Sequence, residues 1–184
     1  MIKSARKGFT LVELLVVIAI IAILAAVVVL IINPLELTKR GRDAARLSDL
    51  ANLQSAINVA VQESTGSGTV TILCKQKGTY PCGGALDTGQ SNVGGRTPDG
   101  TGWVKTDMSS QKSVSVPTLP VDPINSLPYH YTYCADKDAW QINAVLESDQ
   151  QKGKMKTDGG KDDNYYEVGS NLTLIAASGG SCTY

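Results

Sequence analysis

The chain is poor in histidine: it has one, His130, among 184 residues. A zinc site built on several histidines is therefore excluded, and a nucleophile–histidine–acid set would have to use this single residue. The sequence also lacks a glycine-rich phosphate loop and a helix with metal-ligand spacing. Because no catalytic constellation is visible, we expect that the chain is not an enzyme and that His130 is structural or exposed.

Neither sign of charge is in excess, since 17 Lys and Arg residues face 17 Asp and Glu residues. Lys3, Arg6 and Lys7 lie among the first eight residues, so the rest of the chain is acidic. No basic patch interleaved with aromatic residues is left, which argues against a nucleic-acid groove. An acidic exterior rich in Gly, Ser and Thr is common in secreted or surface domains.

The chain has few cysteines, and all four come late: Cys74, Cys82, Cys134 and Cys182. An even number in a non-cytoplasmic domain predicts two disulfides, whereas a zinc site needs closely spaced pairs such as C-x-x-C. Three pairings are possible. We favour Cys74–Cys82, which closes a local loop, together with Cys134–Cys182, which ties down the C-terminus.

One long apolar run, Leu14 to Ile32, contains 19 residues and no charge. As a helix it would extend about 28 Å, close to the thickness of a bilayer's hydrocarbon core. It is longer than the apolar region of a signal peptide, so we expect the mature protein to retain it. Lys and Arg counts on its two sides do not decide its orientation. Paired cysteines would place the C-terminal domain outside the cytoplasm.

Beyond this run the pattern predicts an α+β fold. Asn33-Pro34 predicts a kink or local break, and the following helix carries an apolar stripe at three- and four-residue spacing up to about Glu63. Residues 129–134 and 140–146 alternate as a hairpin, and 165–168 and 172–176 are predicted strands. We expect the tyrosines of the first hairpin strand to pack on the helix rather than to form an adhesive surface. The fold class is thus a long kinked N-terminal helix, membrane-spanning in its first half, packed on a small antiparallel sheet.

The stretch Gly8-Phe9-Thr10-Leu11-Val12-Glu13-Leu14-Leu15 resembles the class III signal of type IV pilins and type II secretion pseudopilins. The resemblance implies that a prepilin peptidase cuts between Gly8 and Phe9 and N-methylates the new Phe9 amine. It also implies a subunit held in the cytoplasmic membrane and then assembled, with itself and other pilins, into a cell-surface or periplasmic filament. The domains would be a leader (1–8), a transmembrane and assembly helix (9–32), an amphipathic continuation (33–66) and a pilin-like head (67–184).

Glu13 is the one carboxylate next to the apolar run. A charge in a nonpolar helix bundle is retained when it is paired, and cleavage would create a cation at Phe9 about 6 Å away along the helix axis. The family implies that Glu13 pairs with the Phe9 amine of a neighbouring subunit. The alternative is a glutamate that reaches the lipid headgroups from one end of the segment.

Asp158, Asp162 and Asp163 lie in a glycine-containing loop whose carboxylates suit calcium, although the spacing is not that of an EF-hand. A solvated acidic turn is the alternative. Upstream, the stretch from Asp122 to Tyr129 resembles the Asp…Pro-Tyr stretch of major pseudopilins, but it is a residue longer and lacks their Trp-Gly. The functions open from sequence are a pilus subunit, a secretion pseudopilin, or a membrane-anchored envelope binding protein that never polymerises.

Overall fold

The computed structural model describes residues 8–65, 70–76, 78–113, 116–176 and 178–184. It divides into two compact units, Met1–Thr38 and Lys39–Tyr184. Gly66, the predicted last residue of the amphipathic continuation, lies outside the described residues. The domain boundaries given above stay predictions.

The first helix, α1, spans Leu11–Ile32. Thr10 is its N-cap, and Asn33, with a φ of 41°, is its left-handed C-cap. Leu11–Val29 is long and apolar enough to cross a membrane, and its side chains are exposed on all sides. A helix that is apolar around its whole circumference needs lipid or other helices as its surroundings.

The second helix, α2, spans Pro34–Thr65. Proline is well suited to the first helical position, where its missing N–H has no partner to lose. The Asn33 side chain accepts a hydrogen bond from the Glu36 backbone N–H, at 3.4 Å. One left-handed residue, Asn33, thus divides the helix in two, at the position where the sequence predicted a kink or local break.

A four-stranded antiparallel sheet has the order β1 (Cys82–Gly83), β2 (Thr132–Asp136), β3 (Ala139–Ala144) and β4 (Tyr166–Gly169). The predicted hairpin is present as β2 and β3, with Thr132 opposite Asn143. The α+β fold class is thereby confirmed.

Several strand boundaries differ from the prediction, and two of the differences are large. The first hairpin strand begins at Thr132 rather than at Tyr129, and residues 172–176 form no strand. The reason at the second place is a side chain: Gln141 Oε1 accepts hydrogen bonds from the backbone N–H groups of Leu174 (2.7 Å) and Ile175 (3.0 Å). A glutamine therefore takes the donors that a neighbouring strand would have used, and only an isolated bridge from Ile175 to Cys182 remains.

The main core lies between α2 and one face of the sheet. Tyr131 and Tyr133 are fully buried there, so these tyrosines pack inside as expected. Their hydroxyls are satisfied, by the Asp49 carboxylate (2.9 Å) and by the Leu73 carbonyl (2.9 Å). Other large members of this core include Leu50, Leu53, Ile57, Trp103, Trp140 and Ile142.

Both disulfides are those that the sequence favoured. Cys74 is joined to Cys82, and Cys134 to Cys182. The first closes a short loop beside β1. The second attaches the C-terminal segment to β2, where Cys134 and Cys182 pack with Leu174 and Ile175 as a smaller core.

Candidate functional site

The segment Gly8–Glu13 contains the first residues of α1 and the non-helical residues before it. Gly8, Phe9 and Thr10 precede the helix and are exposed, and the Phe9 side chain is 84% exposed. A Cβ added at Gly8 would have no described atom within 4 Å. The chain's own packing therefore does not require glycine at this position.

Thr10 and Glu13 form a capping box. The Glu13 backbone N–H donates to Thr10 Oγ1 at 3.2 Å, while Glu13 Oε2 accepts from the Thr10 backbone N–H and hydroxyl, both at 2.8 Å. A capping box satisfies two N–H groups that the first turn of a helix would otherwise leave unpaired. In the uncleaved chain, Glu13 therefore stabilises the start of its own helix, a role that sequence reasoning missed although Thr-x-x-Glu is the known signature.

A second constellation lies in the second unit, where a buried arginine joins three segments. The Arg46 guanidinium bonds Asp43 at 2.8 Å, Asp122 at 2.6 Å and Glu147 at 2.5 Å, and its side chain is 0% exposed. Arg42 adds a bidentate pair with Glu147, at 2.8 and 2.6 Å. We call these five residues the Arg46 cluster.

The Arg46 cluster fixes the surrounding backbone as well as the charges. The Asp43 carboxylate accepts hydrogen bonds from the backbone N–H groups of Glu147 and Ser148. The Asp122 carboxylate accepts one from the backbone N–H of Ile124, at 2.8 Å. Burial opposes the charge on Arg46, but its hydrogen bonds outweigh this effect, so its pKa is raised. The hydrogen bond from Arg42 is the main reason that the pKa of Glu147 is lowered. The arrangement holds α2 to the loop before β2 and to the segment after β3.

The acidic loop uses its carboxylates internally. Asp158 accepts the backbone N–H groups of Gly160 (2.9 Å) and Glu167 (2.8 Å). Asp162 accepts from the Asn164 backbone and side chain and from the Tyr184 hydroxyl. Within the described ranges, no three acidic, histidine or cysteine side chains are grouped as metal ligands. The calcium interpretation of Asp158, Asp162 and Asp163 stays a prediction.

His130 lies in the second unit and is buried, with 7% of its surface exposed. Burial lowers its pKa, and the charge of Asp122 opposes this shift. The exposed alternative for this residue is therefore wrong.

Comparison with known proteins gives one match. Residues 3–29 match the prokaryotic N-terminal methylation motif, which is the class III prepilin signal and is consistent with a type IV pilin or pseudopilin. No curated protein and no solved structure matches the chain. The match covers Gly8, Phe9, Glu13 and most of α1, and it does not extend into the second unit.

Proposed function

We propose that this chain, which carries the prokaryotic N-terminal methylation motif at residues 3–29, is the structural subunit of a type IV pilus-like filament. A prepilin peptidase removes residues 1–8 and methylates the Phe9 amine, and the subunits polymerise through α1. The observation that carries the proposal is the motif itself, which continues from the residues before Gly8 into an exposed apolar helix.

The structure of the junction supports cleavage after Gly8. The bond to Phe9 lies in exposed, non-helical chain, where a peptidase can reach it. Since no described atom occupies the space of a Gly8 side chain, the chain's own packing does not explain a glycine here. A close-fitting peptidase site would explain it.

Glu13 has a different role before and after cleavage. In the precursor it belongs to the capping box with Thr10. Cleavage adds an ammonium group at Phe9, and in nonpolar surroundings a full positive charge attracts the Glu13 carboxylate more strongly than the uncharged N–H and hydroxyl donors of Thr10 do. The Phe9 amine of a staggered neighbour then selects one axial register, because any other register leaves a charge unpaired.

The apolar side chains of α1 provide the contact area but not the register. Lipid tails are as apolar as leucine, so helices that leave the membrane for a bundle associate through packing and polar pairs rather than through the hydrophobic effect. A contact that joins two different surfaces of a subunit also continues as an open helix. A filament of indefinite length follows from such a contact.

The test separates the charge of Glu13 from its capping role. Glu13→Gln keeps a side chain that can complete a capping box but removes the charge. We expect mass spectrometry to find a methylated Phe9 terminus in this variant, and the yield of sheared filaments to fall at least about tenfold. Glu36→Gln, a charge removal on α2, is the matched control. An unchanged filament yield in Glu13→Gln would refute the register argument, and retention of Met1 in the mature wild-type protein would refute processing.

A secretion pseudopilin is the second candidate, because the same signal serves both kinds of protein. The Asp122–Tyr129 stretch favours it through its resemblance to major pseudopilins. Deletion of the gene distinguishes the two candidates. Loss of exported enzymes with intact surface pili indicates a pseudopilin, whereas loss of pili with intact secretion indicates a pilus subunit. A membrane-anchored binding protein that never polymerises would give neither filaments nor a secretion defect.

A further inference from the structure

We propose that a cleft in the second unit binds an acidic saccharide, that is, a sugar chain whose units include a carboxylate. The cleft has a volume of about 660 Å³ and lies between the loop before β2, the end of β3 and the loop 150–165. This volume is within the usual range for small-ligand sites. The side chains that carry the argument are Tyr129, Tyr165, Lys152, Lys156, Asp163 and Asn164.

Two tyrosines give the cleft aromatic walls that are held in place. Tyr165 stacks on Tyr184 with ring centroids 4.2 Å apart and an angle of 10° between the rings. The Arg46 guanidinium lies 5.2 Å from the centre of the Tyr129 ring. Each tyrosine is half-buried, so part of each ring is available to a ligand. A tyrosine has an apolar body with a polar tip, which suits the C–H face and hydroxyl edge of a sugar ring.

The polar rim offers one cation and two kinds of acceptor. Lys156 and Asp163 are exposed, and neither forms an ion pair with any residue that the structure describes. Lys152, by contrast, lies 3.6 Å from the Asp149 carboxylate. The Asn164 side-chain N–H is used within the loop, which leaves its carbonyl oxygen to accept. Lys156 can therefore bind a carboxylate while Asp163 and Asn164 accept hydrogen bonds from hydroxyls.

This set of groups fits an acidic saccharide better than two other ligand classes. A nucleic-acid strand carries a phosphate at every unit and would place some of them beside Asp163 and its neighbouring aspartates. A purely apolar ligand would leave the charged rim without partners. The cleft is open, and an ion pair between Lys156 and a ligand carboxylate would be exposed to solvent. We therefore expect a single site to bind weakly.

The inference does not depend on the proposed function, since it concerns the second unit alone. If the chain also polymerises, many weak sites on one filament would act together, and their combined affinity would far exceed that of one site. The binding experiment below uses the unassembled chain and therefore tests the site without requiring a filament.

The test compares two sugar probes of equal length. The full chain in dodecylphosphocholine micelles is titrated with a hyaluronan tetrasaccharide, which carries glucuronate carboxylates, or with neutral chitotetraose, and ligand-observed NMR measures the Kd. We expect the wild-type chain to bind hyaluronan about three- to fivefold more tightly, as one exposed ion pair allows. Lys156→Gln should abolish this preference, and Tyr165→Ala should weaken the binding of both probes.

Lys154→Gln is the matched control, because Lys154 is exposed on the same 3₁₀ turn but does not line the cleft. It should leave both Kd values within about twofold of wild type. Three results would overturn the proposal: no hyaluronan binding by the wild-type chain, equal binding of the two sugars, or equal losses in Lys154→Gln and Lys156→Gln. Tighter binding of an oligothymidylate at the same residues would assign the cleft to nucleic acid instead.

Discussion

Arg46→Met should be among the most destabilising single substitutions in the second unit. The variant removes the cation on which Asp43, Asp122 and Glu147 converge, and it leaves buried carboxylates without their main partner. Breaking a buried ion pair on one side destabilises by about 3–5 kcal/mol. With a urea slope of about 2 kcal/mol per M, the unfolding midpoint should fall by about 2 M.

The assay follows the fluorescence of Trp103 and Trp140, both buried in the main core, while urea unfolds the full chain in detergent micelles. Arg46→Lys keeps the charge but loses the planar guanidinium, which bonds two oxygens of a carboxylate at once. We therefore expect its urea midpoint to lie between those of the wild type and Arg46→Met. Lys154→Met removes an exposed cation and should change stability by less than about 0.5 kcal/mol. If Arg46→Met unfolds with the wild-type midpoint, the cluster does not stabilise the fold and the reasoning is refuted.

The cluster also predicts a coupling between its members. Asp122→Asn should destabilise the wild-type chain, since Asp122 accepts from Arg46 at 2.6 and 3.0 Å. In the Arg46→Met background the same change removes an unpaired buried carboxylate, and it should therefore restore part of the lost stability. The two substitutions are expected to be non-additive by about 1–3 kcal/mol. Strict additivity would show that Asp122 and Arg46 act independently.

Further predictions concern a disulfide, a carboxylate and a glycine. Replacing both Cys134 and Cys182 by serine opens a disulfide loop with a sequence separation of 48 and should destabilise the fold by about 4 kcal/mol. Replacing Cys74 and Cys82, which close a loop with a separation of 8, should destabilise it less. Equal urea midpoints for the two double variants would contradict this. Burial opposes ionisation of Asp107, but hydrogen bonds outweigh it and lower its pKa from 3.8 to about 2. The ionised Asp107 carboxylate contributes about 2 kcal/mol to the free energy of unfolding. This contribution is complete above pH 3.8 and is lost as the pH falls through about 2. In Asp107→Asn the stability should therefore change less with pH over this range. Gly160→Ala would place a Cβ 1.7 Å from Glu167 Oε2 and should lower the free energy of unfolding by about 1–3 kcal/mol. Gly153→Ala has open space, and its free energy of unfolding should lie within about 0.5 kcal/mol of wild type. Equal urea midpoints for these two variants would refute the close contact.

The sequence predicts α1 and the hairpin well because their signals are local. Nineteen uncharged apolar residues from Leu14 to Ile32 specify a helix without reference to the rest of the chain. Strict alternation with β-branched and aromatic residues predicts the β2–β3 pair in the same way. The boundaries are less accurate, since they depend on which distant group takes each backbone N–H, as Gln141 does for Leu174 and Ile175.

The Arg46 cluster was missed although the sequence contains a signal for it. Asp43 and Arg46 continue the spacing of Leu50, Leu53 and Ile57, in alternating steps of three and four residues. Such spacing places charged residues on the buried face of a helix. Their distant partners, Asp122 and Glu147, could not be identified, because a single sequence does not show which loops meet.

The Arg46 cluster also constrains how this protein can evolve. A change at Arg46 alone leaves Asp43 and Asp122 without their cation and Glu147 with Arg42 alone. A change at Asp122 or Glu147 alone leaves Arg46 short of partners. Each single step passes through a less stable protein, whereas replacement of the whole set by well-packed apolar residues can be neutral. In an alignment of descendants of this sequence, positions 43, 46, 122 and 147 should therefore vary together: lineages keep all four charges or lose them as a group.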